Sequence, residues 1–285
     1  MPLDDFPDGR YLISAQELEA RRGAVTLLDL RPTEDFAVGH IEGSRHLDIY
    51  GVSLNDTSEA PLAAFLAMFR NLFGARGVSA QRPVVIYDHE SGERAARAVW
   101  LLAVLGHPDV RQLDGGTKAW SAAGYPLVRT SEAPPPVDPT KAPPTAPPFR
   151  GTQNFDLLAT RFDVHHAIGD TGTVILDVRR ESEYRGAEVR ARRAGTIPGA
   201  VHLFWREHLD SEGAFRPARE VRALYESRGV TSDRVVIALC QGGYRSASTF
   251  LALKSLGYPR VRNYLGSWGE WGNRDDSKIV VPGQA

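Results

Sequence analysis

Cys240 is the sole cysteine among 285 residues, and the residues around it are of the types that activate a thiol. It opens the run Cys240-Gln241-Gly242-Gly243-Tyr244-Arg245. A thiol attacks or carries a group only as the thiolate, so its neighbours must stabilise negative charge. Gly242 and Gly243 let the backbone curl until successive N–H groups converge, a nest for an anion. Arg245 adds a full positive charge. The sequence after it is compatible with a helix whose N-terminal end adds to the same field. A thiol in that setting is expected to titrate well below its free value of about 8.5. The competing reading is a buried, inert cysteine that packs as a small hydrophobe. Glycine loop, arginine and helix start at one point favour the reactive one.

The elements that must position this loop are legible because the sequence occurs twice. Val84-Val85-Ile86 matches Val235-Val236-Ile237 at an offset of 151. The same offset, without gaps, pairs Gly92 with Gly243, Arg94 with Arg245, Leu105-Gly106 with Leu256-Gly257, and Trp120 with Trp271. Upstream, Leu28-Asp29-Leu30-Arg31 answers Leu176-Asp177-Val178-Arg179 at an offset of 148. Short β-branched runs at 25–29, 84–87, 174–178 and 235–239 read as strands. Residues 14–20, 95–105, 219–227 and 245–256 read as helices, with Ser14 and Glu17 spaced as a capping box. Gly106 and Gly257 stand where helices stop, each followed shortly by proline. Strand and helix in alternation predict an α/β fold: two tandem domains, each a largely parallel sheet with helices on both faces. Cys240 then sits at the carboxyl end of a parallel strand, where such sheets bind ligands.

The predicted boundaries are a first domain over 1–129, a Pro-rich linker over 130–149 and a second domain over 150–285. The linker holds Pro134-Pro135-Pro136, Pro143-Pro144 and Pro147-Pro148, so it cannot propagate helix or strand. Formal charge is −1, from 34 basic and 35 acidic residues, which argues against a general nucleic-acid binder. No apolar run is long enough to span a membrane. The acidic, Pro-containing start does not read as a secretory signal, and one cysteine permits neither an internal disulfide nor a multi-cysteine zinc site. A reducing, cytoplasmic setting is expected, with no cofactor and no metal: His46, His107, His165, His166, His202 and His208 show no ligand spacing that recurs or clusters with acids.

Asp177-Val178-Arg179, Glu183-Tyr184 and Ile197-Pro198-Gly199-Ala200 resemble the first half of a rhodanese module. The Cys240–Arg245 loop with Gly266-Ser267-Trp268 and Trp271 resembles the second half. Residues 11–128 look like the family's inactive first module, so the likeness covers nearly the whole chain. It implies a sulfurtransferase in which Cys240 takes the outer sulfur of thiosulfate, releases sulfite, and passes the sulfur from a persulfide to cyanide or a thiol. Cysteine phosphatases with a related fold place five residues between Cys and Arg. Here there are four, Gln241 to Tyr244, a ring suited to one sulfur atom. The loop is similar to that of thiosulfate-using bacterial enzymes rather than the Cys-Gly-Ser/Thr-Gly-Val-Thr type typical of mercaptopyruvate sulfurtransferases. An arginine at the loop end would also draw a mercaptopyruvate carboxylate, so that donor remains the alternative. A non-catalytic persulfide carrier that hands sulfur to a partner protein is the other.

The offset of 151 puts His89 opposite Cys240, among Asp88, Glu90 and Glu93, so the first module is expected to be chemically silent and to form one wall of the cleft. Arg179 to Gly199 spans 20 positions where Arg31 to Gly43 spans 12, and the longer segment carries Arg185, Arg190, Arg192 and Arg193. These read either as a solvated loop balancing nearby glutamates or as guides for an anionic donor, with Arg185 the first candidate. Asp177 and Arg179 recur as Asp29 and Arg31, which favours an internal ion pair. Thr196 stands where many family members carry histidine. Trp271 recurs as Trp120 and reads as core, whereas Trp268 faces Thr117 in the alignment and is a candidate to line the cleft.

Overall fold

The computed structural model describes residues 3–129 and 147–283. In the first module, strands β1 (Leu12–Ile13), β2 (Thr26–Asp29), β3 (Arg45–His46), β4 (Val84–Tyr87) and β5 (Val110–Leu113) are joined by helices α1 (Ala15–Arg21), α2 (Thr33–Val38), α3 (Glu59–Ala75) and α4 (Glu93–Val104). Helix α5 (Gly116–Ala122) follows. The second module repeats the order. Its strands are β6 (Leu158–Ala159), β7 (Thr173–Asp177), β8 (Val201–His202), β9 (Val235–Leu239) and β10 (Val261–Tyr264). Its helices are α6 (Arg161–Ala167), α7 (Glu181–Tyr184), α8 (Ala218–Glu226), α9 (Arg245–Ser255) and α10 (Ser267–Trp271).

Within the two sheets of the described residues every strand pair is parallel, in the orders β1-β5-β4-β2-β3 and β6-β10-β9-β7-β8. The apolar runs became central strands because both faces of each sheet are covered. The predicted capping box at the start of α1 is closed from both sides, Ser14 and Glu17 each accepting the other's N–H. Gly106 and Gly257 end α4 and α9 at φ of +86° and +84°, a conformation that side chains resist. Helix α3 lies outside the predicted helices. Its Leu62, Phe65, Leu66, Phe69 and Phe73 form a buried stripe at helical spacing, and Pro61 falls in the first turn, where a missing N–H costs nothing.

Helices α4 and α9 follow the two central strands and pack on each other across the module boundary. Every residue of α4 from Ala95 to Val104 is buried, and so is every residue of α9 from Ser246 to Ser255. One apolar cluster therefore runs through both modules, while a smaller cluster belongs to each alone. The arm after the third strand of each module also reaches across to the other. Residues 49–57 touch the Cys240 side, and residues 205–215 touch the first module at Ser91 and Asp114. Most of the predicted linker lies outside the described residues. Its end is fixed on α3, where the Phe149 N–H donates to the Arg70 carbonyl over 2.9 Å.

Candidate active site

Cys240 follows the last residue of β9, the middle strand of its sheet, and is held by the turn that starts α10. Its N–H donates to Ser267 Oγ over 3.1 Å, and its carbonyl accepts from the Trp268 N–H over 3.0 Å. Ser267 Oγ donates in turn to the Tyr264 carbonyl. Ser267 takes φ of +51°, the only positive φ at a non-glycine among the described residues. Strain of this kind costs on the order of 1–3 kcal/mol and persists only where its surroundings enforce it. Here it aims one hydroxyl at the backbone under the sulfur.

Cys240 is buried, and burial alone would push its thiol up. The Arg245 charge, the Ser246 hydroxyl at 3.4 Å, and the N–H groups of Ser246 and Gly242 outweigh that cost and hold it below the ordinary thiol range. The loop that aims these groups has no room for larger side chains. A Cβ on Gly243, at φ of +80°, would meet Arg97 Nη1 at 2.6 Å and the Leu265 carbonyl at 3.0 Å. Gly243→Ala is therefore expected to destabilise the protein by about 1–3 kcal/mol and to lower the thiol's alkylation rate. Urea unfolding alongside iodoacetamide kinetics checks both.

Arg245 donates to both oxygens of Glu183, over 2.6 and 3.0 Å. The Glu183 side chain is fully buried, and Arg190 Nη1 lies 3.5 Å from it on the other side. The Gln241 amide donates to the Arg190 carbonyl over 3.0 Å, tying the cysteine loop to the 181–190 segment. The cleft above the sulfur has a volume of about 400 Å³. The second module lines it with Arg190, Arg245, Gln241 and Asn273; the first contributes Tyr50, Ser53, Asn55 and Glu93 as the facing wall. Tyr244 joins the walls: its hydroxyl lies 2.6 Å from the Ile49 carbonyl and 3.0 Å from that of Val52. A compact anion entering here meets two guanidinium groups beside a sulfur held by the N–H groups of Gly242 and Ser246.

The rhodanese-like domain model matches the chain twice, over residues 14–123 and 161–274. The chain belongs to the rhodanese family. Among its relatives are a thiosulfate sulfurtransferase of Azotobacter vinelandii, 35% identical across 98% of this chain and 100% of that one, and a thiosulfate sulfurtransferase of Pseudomonas aeruginosa, 36% identical across 97% and 99%. The sulfur carrier protein TtuD of Thermus thermophilus is 34% identical across 84% of each. The crystal structure of YnjE shares the fold, with a TM-score of 0.78 at 21% identity over 96% of this chain and 69% of that one.

Within the second rhodanese module the structure gathers Cys240, Gln241, Gly242, Tyr244 and Arg245 around the cleft, with Gly243 turning the loop beneath. Arg185 is a correction: it does not line the cleft. It stands one residue beyond α7, its side chain is 57% exposed, and it pairs with Glu181 one turn back over 2.7 Å. Arg190 takes the place expected of it, because the segment folds back toward Gln241 only after α7 has ended. Trp268 is corrected too. It is 1% exposed, stacked under Arg179, with its indole N–H on the Arg193 carbonyl. Asp177 and Arg179 form the expected internal pair, and Arg179 also donates to the Gly195 carbonyl. Thr196 donates to Asp177 and so serves that pair rather than the sulfur.

The matching loop of the first rhodanese module is closed over. His89 hydrogen-bonds Thr117, Glu90 pairs with Arg206, and the Ser91 N–H donates to the Gly213 carbonyl. Burial raises the Asp88 carboxyl to about 7, the opposite of what an anion-binding nest does. Sequence reasoning missed Ser246 as a thiol partner, Glu183 as the anchor of Arg245, and Arg97. Ser246 was open to recognition as the first hydroxyl after the loop. Nothing local signals the other two, which act across 62 and 145 positions.

Proposed function

We propose that this protein is a cytoplasmic thiosulfate sulfurtransferase. The observation that carries the reading is a lone buried thiol, held low in pKa by Arg245, Ser246 and Gly242, at the floor of a cationic cleft. The Cys240 thiolate attacks the outer sulfur of thiosulfate, the S–S bond breaks, and sulfite leaves with the bonding pair. The persulfide stays on Cys240 among the loop N–H groups. Cyanide or a thiolate then attacks its outer sulfur, giving thiocyanate or an acceptor persulfide and restoring the Cys240 thiolate. Residues 150–285 form the catalytic domain, and residues 1–129 a non-catalytic domain that closes the cleft, joined by the linker over 130–149. Arg190, rather than Arg185, guides the donor.

The names of the relatives from Azotobacter and Pseudomonas support thiosulfate over mercaptopyruvate as donor. The carrier name of the Thermus relative supports a sulfur-accepting protein as an additional partner. No described helix is long and apolar enough to cross a bilayer. Intact mass before and after thiosulfate tests the proposal. A gain of about 32 Da, reversed by cyanide with catalytic turnover, is the expected result. Loading from mercaptopyruvate alone would replace the donor. Loading without turnover would make the protein a carrier, and a reduced thiol that loads from neither would remove the assignment.

A further inference from the structure

Arg97 lies in α4 of the module that has no thiol, and it is fully buried. A buried guanidinium is normally matched by a carboxylate, because an unpaired charge away from water is costly. Arg97 has none within ion-pair distance among the described residues. Its Nη1 donates to the Gly242 carbonyl, its Nη2 donates to the Val52 carbonyl over 3.2 Å, and its guanidinium sits 4.1 Å from the centre of the Tyr244 ring. Its Nε has no hydrogen-bond partner among the described residues. Burial pulls its own pKa down, and the groups opposing that are Tyr244 and Cys240.

The repeat sharpens the point. The offset that aligns the two modules places Ser248 of α9 opposite Arg97 of α4. Ser248 is neutral and hydrogen-bonds His208. The cation is thus present only on the helix that backs the thiol-bearing loop. We infer that Arg97 is a positioning residue of the Cys240 site. It fixes the loop from behind at Gly242 and supplies a buried positive charge whose counter-charge is the Cys240 anion, thiolate before sulfur loading and persulfide after it. The first module, silent in its own loop, completes the electrostatics of the second.

The charged and titratable groups around the sulfur are Arg245 and Tyr244 from its own loop and helix, Glu183 and Arg190 from the 181–190 segment, Tyr50 from the 49–57 arm, and Glu93 and Arg97 from α4. Substitution at Arg97 in the full chain isolates its share. Arg97→Gln keeps an amide donor for the Gly242 carbonyl and drops the charge. It is expected to move the midpoint of Cys240 alkylation by iodoacetamide upward by about one pH unit, a roughly tenfold lower thiolate fraction below the midpoint. Arg97→Lys keeps the charge and loses the fork, and is expected to stay within about twofold of wild type. Thiolate absorbance near 240 nm gives a second readout of the same titration. A wild-type titration in Arg97→Gln, or one in Arg97→Lys that rises as far as in the glutamine variant, overturns the inference. If the glutamine variant does not fold, Arg97→Met, which also drops the charge, takes its place: a midpoint raised by about one pH unit supports the inference and a wild-type midpoint overturns it. The inference rests on the proposed function only for its consequence in sulfur transfer. Alkylation needs no donor, so failure of wild type to load from thiosulfate is a separate result.

Discussion

Cys240→Ser is expected to abolish thiosulfate-to-cyanide turnover, by a factor of at least about 10⁴, with the fold intact. A serine hydroxyl is not ionised near neutral pH and forms no persulfide, so neither half-reaction has a route around the loss. Nothing else can substitute, because there is no second cysteine. The loop should remain in place. Its glycines, the Ser267 hydroxyl under residue 240 and the Arg245–Glu183 pair do not depend on the sulfur atom. Steady-state assay with circular dichroism checks the pair of outcomes. More than about one part in a hundred of wild-type turnover in a folded Cys240→Ser protein would falsify the assignment of the nucleophile.

Arg245→Met carries the second large effect, and it acts on activity, pH dependence and stability together. The kcat/KM for thiosulfate is expected to fall by about 10²–10³, as when an aligned charge is taken from a dry site. The acid limb of the rate should also move to higher pH. In the wild type the folded-state thiol lies below its unfolded value of about 8.5, so sulfur attack rises as pH climbs through that depressed value and levels off above it. Without the Arg245 charge, burial pushes the thiol back up. The linked stability has the same sign: it is fully present above the unfolded pKa and is lost as pH falls through the folded one. The variant should show less of that dependence. Glu183 adds a second cost, since its fully buried carboxylate loses its bidentate partner. Breaking such a pair costs about 3–5 kcal/mol. Arg190 remains 3.5 Å away, which argues for the lower end. Adding Glu183→Gln should recover much of the stability and little of the rate. Equal unfolding midpoints in urea for wild type and Arg245→Met would show that the pair contributes nothing to the fold.

The sequence carried the parts of the fold and site that depend on local order. The duplicated strand–loop–helix placed Cys240, its glycines and Arg245 in one short segment, and the structure keeps them together around the cleft. The strands of two residues, β1, β3, β6 and β8, were not legible because so short a run has no period to read. Helix α3 lies outside the expected helices although Phe65, Phe69 and Phe73 have helical spacing. Arg185 was preferred to Arg190 because proximity to a short helix says nothing about where the following coil turns back. Glu183 and Arg97 reach the site only through folding, one from the helix after the neighbouring strand β7 and one from the other module. The apolar periodicity that makes α4 a helix does not reveal which of its turns lies behind Gly242.

The α4–α9 contact bears on how the chain folds. The face of α4 that packs on α9, together with Trp100, whose indole N–H donates to the Leu157 carbonyl, would face water if the second module were absent, and the matching face of α9 likewise without the first. Each half alone would keep its sheet covered on both faces but leave its central helix bare on the outer side. The halves are therefore one cooperative unit, so that heating or denaturant should melt them in a single transition. The copy without a thiol is not dispensable, because its central helix packs on that of the other copy and the two share one interior.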